Sequence, residues 1–163
     1  MLVAHTAVKV PLGLLPEMLW VCHLATLLSA LGLLAGRPRL AVVGGLFHVA
    51  IGFTGWVLEI LLHGTTLTST LLHLATPLIG LWMARRHGIP AWLPLGGLGL
   101  WGVGLAVGRL FPPDLNLNLA WRAYDVWPPE TPGWIYQSCN LALLLGLMSL
   151  ARLGLNRLWR PNV

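Results

Sequence analysis

Charge is what this sequence has least of. Only 9% of its 163 residues are Asp, Glu, Lys or Arg, and the acidic residues number five. Globular domains carry about 25% charged residues, because water must be met at the surface. A soluble fold is therefore excluded for most of the chain. Cysteine is nearly absent as well: Cys22 and Cys139 stand alone, with no CxxC pair. A disulfide framework or a thioredoxin-like motif has no material to be built from, and both residues read as small apolar packing groups. There is also no GxxxxGK[ST], no HExxH and no GxGxxG, so nucleotide-loop, zincin and dinucleotide-binding readings lack their motifs.

What is present is apolar. Hydrophobic residues make up 56% of the chain and the mean hydropathy is +0.76. Five stretches stand out, at about 18–36, 40–62, 66–84, 91–111 and 134–150. A membrane helix needs about 20 such residues. None of the stretches shows the ten-residue alternation of a membrane barrel. The expected fold is all-α: a polytopic transmembrane bundle of about five spans, forming one integral membrane domain over 1–163. Residues 1–15 hold one basic residue, Lys9, and read as an interfacial arm.

The net charge of +5 arises from residues at the ends of these stretches, not from a basic patch interleaved with aromatics, so no nucleic-acid partner is expected. Arg37, Arg39, Arg85, Arg86, Arg152, Arg157 and Arg160 fall on one side if the spans alternate. Lys9, Arg109 and Arg122 fall on the other. The positive-inside rule makes the first side cytoplasmic. The N-terminus and the 112–133 loop are then outside and the C-terminus inside, and a bacterial cytoplasmic membrane is the expected home.

In so apolar a chain each ionisable group within a span is informative, since placing one at mid-helix costs about 2.5–3.5 kcal/mol or more. They are His23, His48, Glu59, His63 and His73, joined by the polar Asn140. Counting inward at about 1.5 Å per residue puts His23, Glu59, His73 and Asn140 in one layer roughly 5–10 Å below the outer surface. His63 falls just above the layer and His48 below it. His48, Gly52, Gly55, Glu59 and His63 recur every three or four residues, so they are expected to share one face, with the glycines admitting a neighbouring helix. His5 and His87 are expected to be exposed.

Histidine with glutamate is a metal-ligand set and equally a base with its orienting acid. His23, Glu59, His73 and Asn140 are the expected catalytic residues. His23, Glu59, His63 and His73 are the expected metal ligands, for zinc, or for haem iron held by histidine. Cys22, Thr26, Thr70 and Ser138 are the candidate nucleophiles nearby. In the outer loop, Asn118, Trp121, Arg122 and Tyr124 are expected to meet substrate at the headgroup level. The expected function is an enzyme, a hydrolase or transferase, acting on a lipid or other apolar substrate. A haem-carrying redox protein, a binding or transport subunit working as a homo-oligomer or with a partner subunit, and a structural membrane protein are the alternatives.

Overall fold

A computed structural model describes residues 2–63, 65–120, 128 and 130–159; within them it leaves aside the side chains of Thr54, Leu58, Glu59, Leu62, His63 and Leu119. The described chain is all helical. Seven α-helices follow one another: α1 (Leu2–Lys9), α2 (Val21–Leu34), α3 (Pro38–Phe47), α4 (Phe53–His63), α5 (Leu67–His87), α6 (Leu93–Arg109) and α7 (Gly133–Leu158). A π-helical turn, His48–Gly52, joins α3 to α4 in one continuous run, and short 3-10 turns lie at Val10–Leu12, Leu15–Leu19 and Leu117–Leu119. The five apolar stretches thus correspond to α2, the α3–α4 run, α5, α6 and α7.

The helix ends follow local chemistry. Proline opens α3, at the position where a missing N–H costs nothing. The Thr66 hydroxyl accepts the Ser69 N–H at 3.2 Å and caps α5. That helix closes with Arg85, Arg86 and His87 against the negative end of its dipole, before Gly88. Two helices, α5 and α7, are long and apolar enough to cross a membrane by length and composition.

Helix α3 is the centre of the packing, wedged between α2 and α5. Two neighbouring glycines make this possible. A Cβ on Gly45 would lie 2.3 Å from the Gly80 Cα, and one on Gly44 would lie 2.4 Å from the Ala25 carbonyl oxygen. Backbones meet backbones at both crossings. Around them Ala41, Val42, Val43, Leu46 and Phe47 join Ala25, Met83, Ala84, Leu93, Trp101, Leu144 and Met148 in one core. Helix α7 packs chiefly on α6.

Helix α4 departs from expectation. The Gly52–Gly55 face was expected to press on a neighbour, yet a Cβ on Gly55 would meet nothing within 4 Å, and Phe53, Val57, Ile60 and Leu61 are exposed. The cause is the π-turn. One extra residue in a turn shifts the register of all that follows by about 100°. The buried face of α3 therefore does not continue along α4. The outward faces are apolar: Leu67, Leu71, Leu74, Leu78 and Trp82 form an exposed stripe down α5, and Trp134, Leu143, Leu150 and Leu153 are exposed on α7.

Candidate functional site: a row of four imidazoles

The Gly45–Gly80 crossing fixes what lies level with what. Helices α3 and α5 run antiparallel there, so each step forward on one matches a step back on the other. Thr76 comes level with Val49, and His73 with Gly52. The His48 ring lies along Gly52: a Cβ on that glycine would sit 2.7 Å from His48 Cδ2. The ring thereby climbs one turn and meets His73, with centroids 4.7 Å apart and planes at 70°. The expectation that His48 sits below the layer is corrected. Depth counted along one straight helix ignores both the crossing and the climb of the ring.

His73 is the hub. Its Nδ1–H donates to the Ser69 carbonyl at 2.9 Å, one turn back on α5, which leaves Nε2 as the basic nitrogen. Trp56 stacks on its face at 5.6 Å with planes only 13° apart. Pro77, four residues on, has no N–H to give to the His73 carbonyl, so that oxygen lacks its helical partner.

His23 approaches from α2, its centroid 6.2 Å from that of His73. The Leu15–Leu19 turn presents the Glu17 carbonyl to its Nδ1–H at 2.9 Å and fixes the same tautomer. Its Nε2 is buried and has no hydrogen-bond partner among the described residues, and the same holds for Nε2 of His48. Buried polar atoms are seldom left so, since each costs about 1–3 kcal/mol.

The fourth imidazole is His5, expected at the exposed surface and in fact 1% exposed. The arm folds back over the bundle, and α1 packs on α5. His5 Nδ1 and the Thr68 hydroxyl hydrogen-bond at 2.9 Å, and the ring lies 5.0 Å from His23. An ion pair between Lys9 and Glu17 closes the arm on itself. Burial, and then the nearby Lys9 charge, hold the His5 imidazole below its usual pKa against the opposing pull of Glu17.

Beyond His48 the row ends in hydroxyls. Thr26 Oγ1 lies 3.5 Å from His48 Nδ1 and 3.0 Å from Thr76 Oγ1, and its own O–H is within 3.0 Å of the Cys22 carbonyl. His48 and Thr76 are buried, while Thr26 is only half-buried.

The other expected site residues divide. His23 and His73 do come together. Asn140 lies on α7, and no hydrogen bond or ring contact ties it to the imidazoles among the described residues; its Nδ2 is buried without a partner. The side chains of Glu59 and His63 lie outside the described residues. The backbone of Glu59 is seven residues past Gly52, about 10 Å beyond the level of His73. No three His, Cys, Asp or Glu side chains are gathered to hold a metal among the described residues, and of the four expected ligands only His23 and His73 have described side chains. Trp121, Arg122 and Tyr124 also lie outside the described residues.

Asn118 is described and corrects its expected role. Its amide is turned inward, 2% exposed, and its Nδ2 donates to the carbonyls of Leu19 at 3.0 Å and Gly104 at 2.7 Å. Its Oδ1 accepts the Val21 N–H and so caps α2. Spent on backbone, the amide pins the loop to α2 and α6 instead of facing substrate. A left-handed backbone, φ 56°, is accepted to place it there. His48 and His5 are what sequence reasoning missed. The small-residue pairing of Gly45 with Gly80 is the signal that finds His48 beside His73.

Comparison with protein-family models, with curated proteins and with solved structures finds no match to this chain.

Proposed function

We propose that this chain is a five-span protein of a bacterial cytoplasmic membrane, with N-terminus outside and C-terminus inside, whose imidazole row performs acid–base chemistry on a lipid or other apolar substrate taken from the outer leaflet. It would act as a hydrolase or transferase. Lipid is the partner this reading requires.

The membrane part draws support from the exposed leucine stripe of α5 and the exposed apolar side chains of α7, surfaces that water would penalise. The α3–α4 run adds an unbroken helix over 38–63. Arginines at the inner ends of the expected spans give all five one consistent direction.

The chemical part is carried by one observation: four imidazoles, delivered by α1, α2, the π-turn and α5, stand in ring-to-ring sequence and end on two threonine hydroxyls. Backbone carbonyls hold His23 and His73 in the tautomer whose Nε2 is basic. An imidazole accepts a proton near neutral pH and passes it on, and in a water-poor site such transfers are not diverted to solvent. A π-turn at His48, where the row meets the hydroxyls, fits this reading, because such turns are found frequently at functional sites. Helix packing alone would be served by any small residues here, without the cost of four ionisable groups.

The test is turnover. Purified protein in liposomes of mixed glycerophospholipids and neutral acyl esters is assayed for product by mass spectrometry, beside His48→Ala and His73→Ala variants of verified fold. Loss of a base of this kind lowers turnover by roughly 100- to 10,000-fold. Variants as active as the parent, or a folded parent that converts none of these substrates, would contradict the proposal.

A further inference from the structure

We infer that Thr26 is the nucleophile of an acyl transfer at this site, with His48 as its base and the Thr76 hydroxyl as the donor to the developing oxyanion. The inference rests on the acid–base reading above and specifies the substrate as a carboxylic ester with an apolar chain. The geometry that points to it is the end of the imidazole row. The Thr26 hydroxyl oxygen lies within hydrogen-bond reach of both His48 Nδ1, at 3.5 Å, and Thr76 Oγ1, at 3.0 Å. A weak nucleophile beside a base, with a third group orienting the base, is the arrangement an activated hydroxyl needs. Here the third group is His73, whose ring meets His48 edge-on and is itself fixed by the Ser69 carbonyl and the Trp56 stack. His73 is thus a positioning residue.

Burial sorts the roles. His48 is fully buried and Thr76 is 2% exposed, whereas Thr26 is half-buried. Thr26 is thus the least buried of the trio, which makes it the member assigned to meet substrate. On the same helix Leu27 and Ala30 are exposed, so an apolar surface lies beside it. Gly52 completes the arrangement by leaving room for the His48 ring, which a Cβ there would displace.

The step balances within these groups. The Thr26 oxygen bonds to the ester carbonyl carbon while its proton, which rests on the Cys22 carbonyl, turns to and passes onto His48 Nδ1. The carbonyl electron pair moves onto oxygen, which the Thr76 O–H stabilises. Collapse breaks the bond to the alkoxy group, which takes the proton from His48 and leaves as an alcohol, with Thr26 acylated. Water attacks that ester with His48 again accepting the proton. A carboxylic acid departs and the Thr26 hydroxyl is restored. An alcohol in place of water in the second half makes the same site a transferase.

The test uses the full chain in mild detergent with a long-chain alkyl fluorophosphonate, which loses fluoride on reaction with an activated hydroxyl, alongside an acyl ester. The expected result is a single adduct mapped to Thr26. Thr26→Val, nearly the same shape, loses the adduct and at least ~100-fold of ester turnover while melting as the parent does. Thr26→Ser keeps both, and His48→Ala slows labelling. Turnover retained by Thr26→Val, or an adduct mapped elsewhere, overturns Thr26 as nucleophile and leaves the acid–base reading standing. Absence of both labelling and turnover in folded parent protein overturns the two together.

Discussion

Replacing Gly45 by alanine puts the placement of the whole site at risk, through one methyl group. The added Cβ would lie 2.3 Å from the Gly80 Cα, 2.9 Å from the Gly80 nitrogen and 3.0 Å from the Thr76 carbonyl oxygen. Carbon atoms rest at about 3.5–4.0 Å. The α3–α5 crossing must therefore open by more than 1 Å, and no flexible side chain stands there to absorb the strain. Overpacking of this kind costs about 1–3 kcal/mol. Gly55→Ala is the matched control: it lies on the same continuous run, and its Cβ meets nothing within 4 Å. Both changes gain the same helix propensity, about 0.5–1 kcal/mol, so their difference isolates the steric cost. The assay is unfolding of purified protein in mixed micelles, followed by far-ultraviolet circular dichroism. Gly45→Ala is expected to fall below Gly55→Ala by about 1–3 kcal/mol, roughly 5- to 150-fold in the folded-to-unfolded ratio. Because the same crossing sets His48 against His73, Gly45→Ala should also weaken the Trp56–His73 stack. Equal stability of the two variants would refute the close crossing, and with it the register that brings the imidazoles together.

Further expectations concern the parts that hold the site. Asn118→Ala strips the Val21 N–H and the Leu19 and Gly104 carbonyls of their partner, and is expected to lower stability by roughly 1–3 kcal/mol, measured by the same unfolding assay. Thr66→Ala removes the cap of α5 and should cost about 1 kcal/mol, seen as earlier hydrogen exchange in the first turn of that helix. His5 gives a pH dependence. Its pKa is lowered when the arm is docked, so the undocked arm binds the proton more readily. Docking is thus complete above the usual imidazole range, about 6.5, and weakens as pH falls through it. Protease cleavage near residues 10–14 should accelerate on acidification in the parent and lose this dependence in His5→Gln.

The helices were legible because their signal is long-range and redundant. About twenty apolar residues in a row, stopped by Arg37, by Arg85 and Arg86 or by Pro112 and Pro113, leave few alternatives. His23 and His73 were legible for the same reason, since two ionisable groups in apolar helices stand out. The level of His48 is not legible, because depth along a helix says nothing of where two helices cross. The crossing is set by the meeting of Gly45 with Gly80, a pairing invisible within either segment alone. The π-turn is invisible too: nothing in His-Val-Ala-Ile-Gly at 48–52 marks an extra residue in the turn, which shows only in the rotation of α4. The burial of His5 is not legible, because an arm outside the apolar stretches gives no periodic sign of folding back. Asn118 illustrates the opposite error. A polar residue in a loop reads as reaching outward, but the free N–H at the start of α2 and the carbonyls of Leu19 and Gly104 drew it in.

His5, His23, His73 and His48 form one row, and the chemistry proposed for this protein depends on it. Solid-state NMR of protein in lipid bilayers, with isotope-labelled histidine, tests it most directly through ring-to-ring contacts. Cross-peaks are expected in the order 5–23, 23–73 and 73–48, each lost when one partner is replaced, with His87 joined to none of them. A His48 ring that shows no contact with His73 would contradict it.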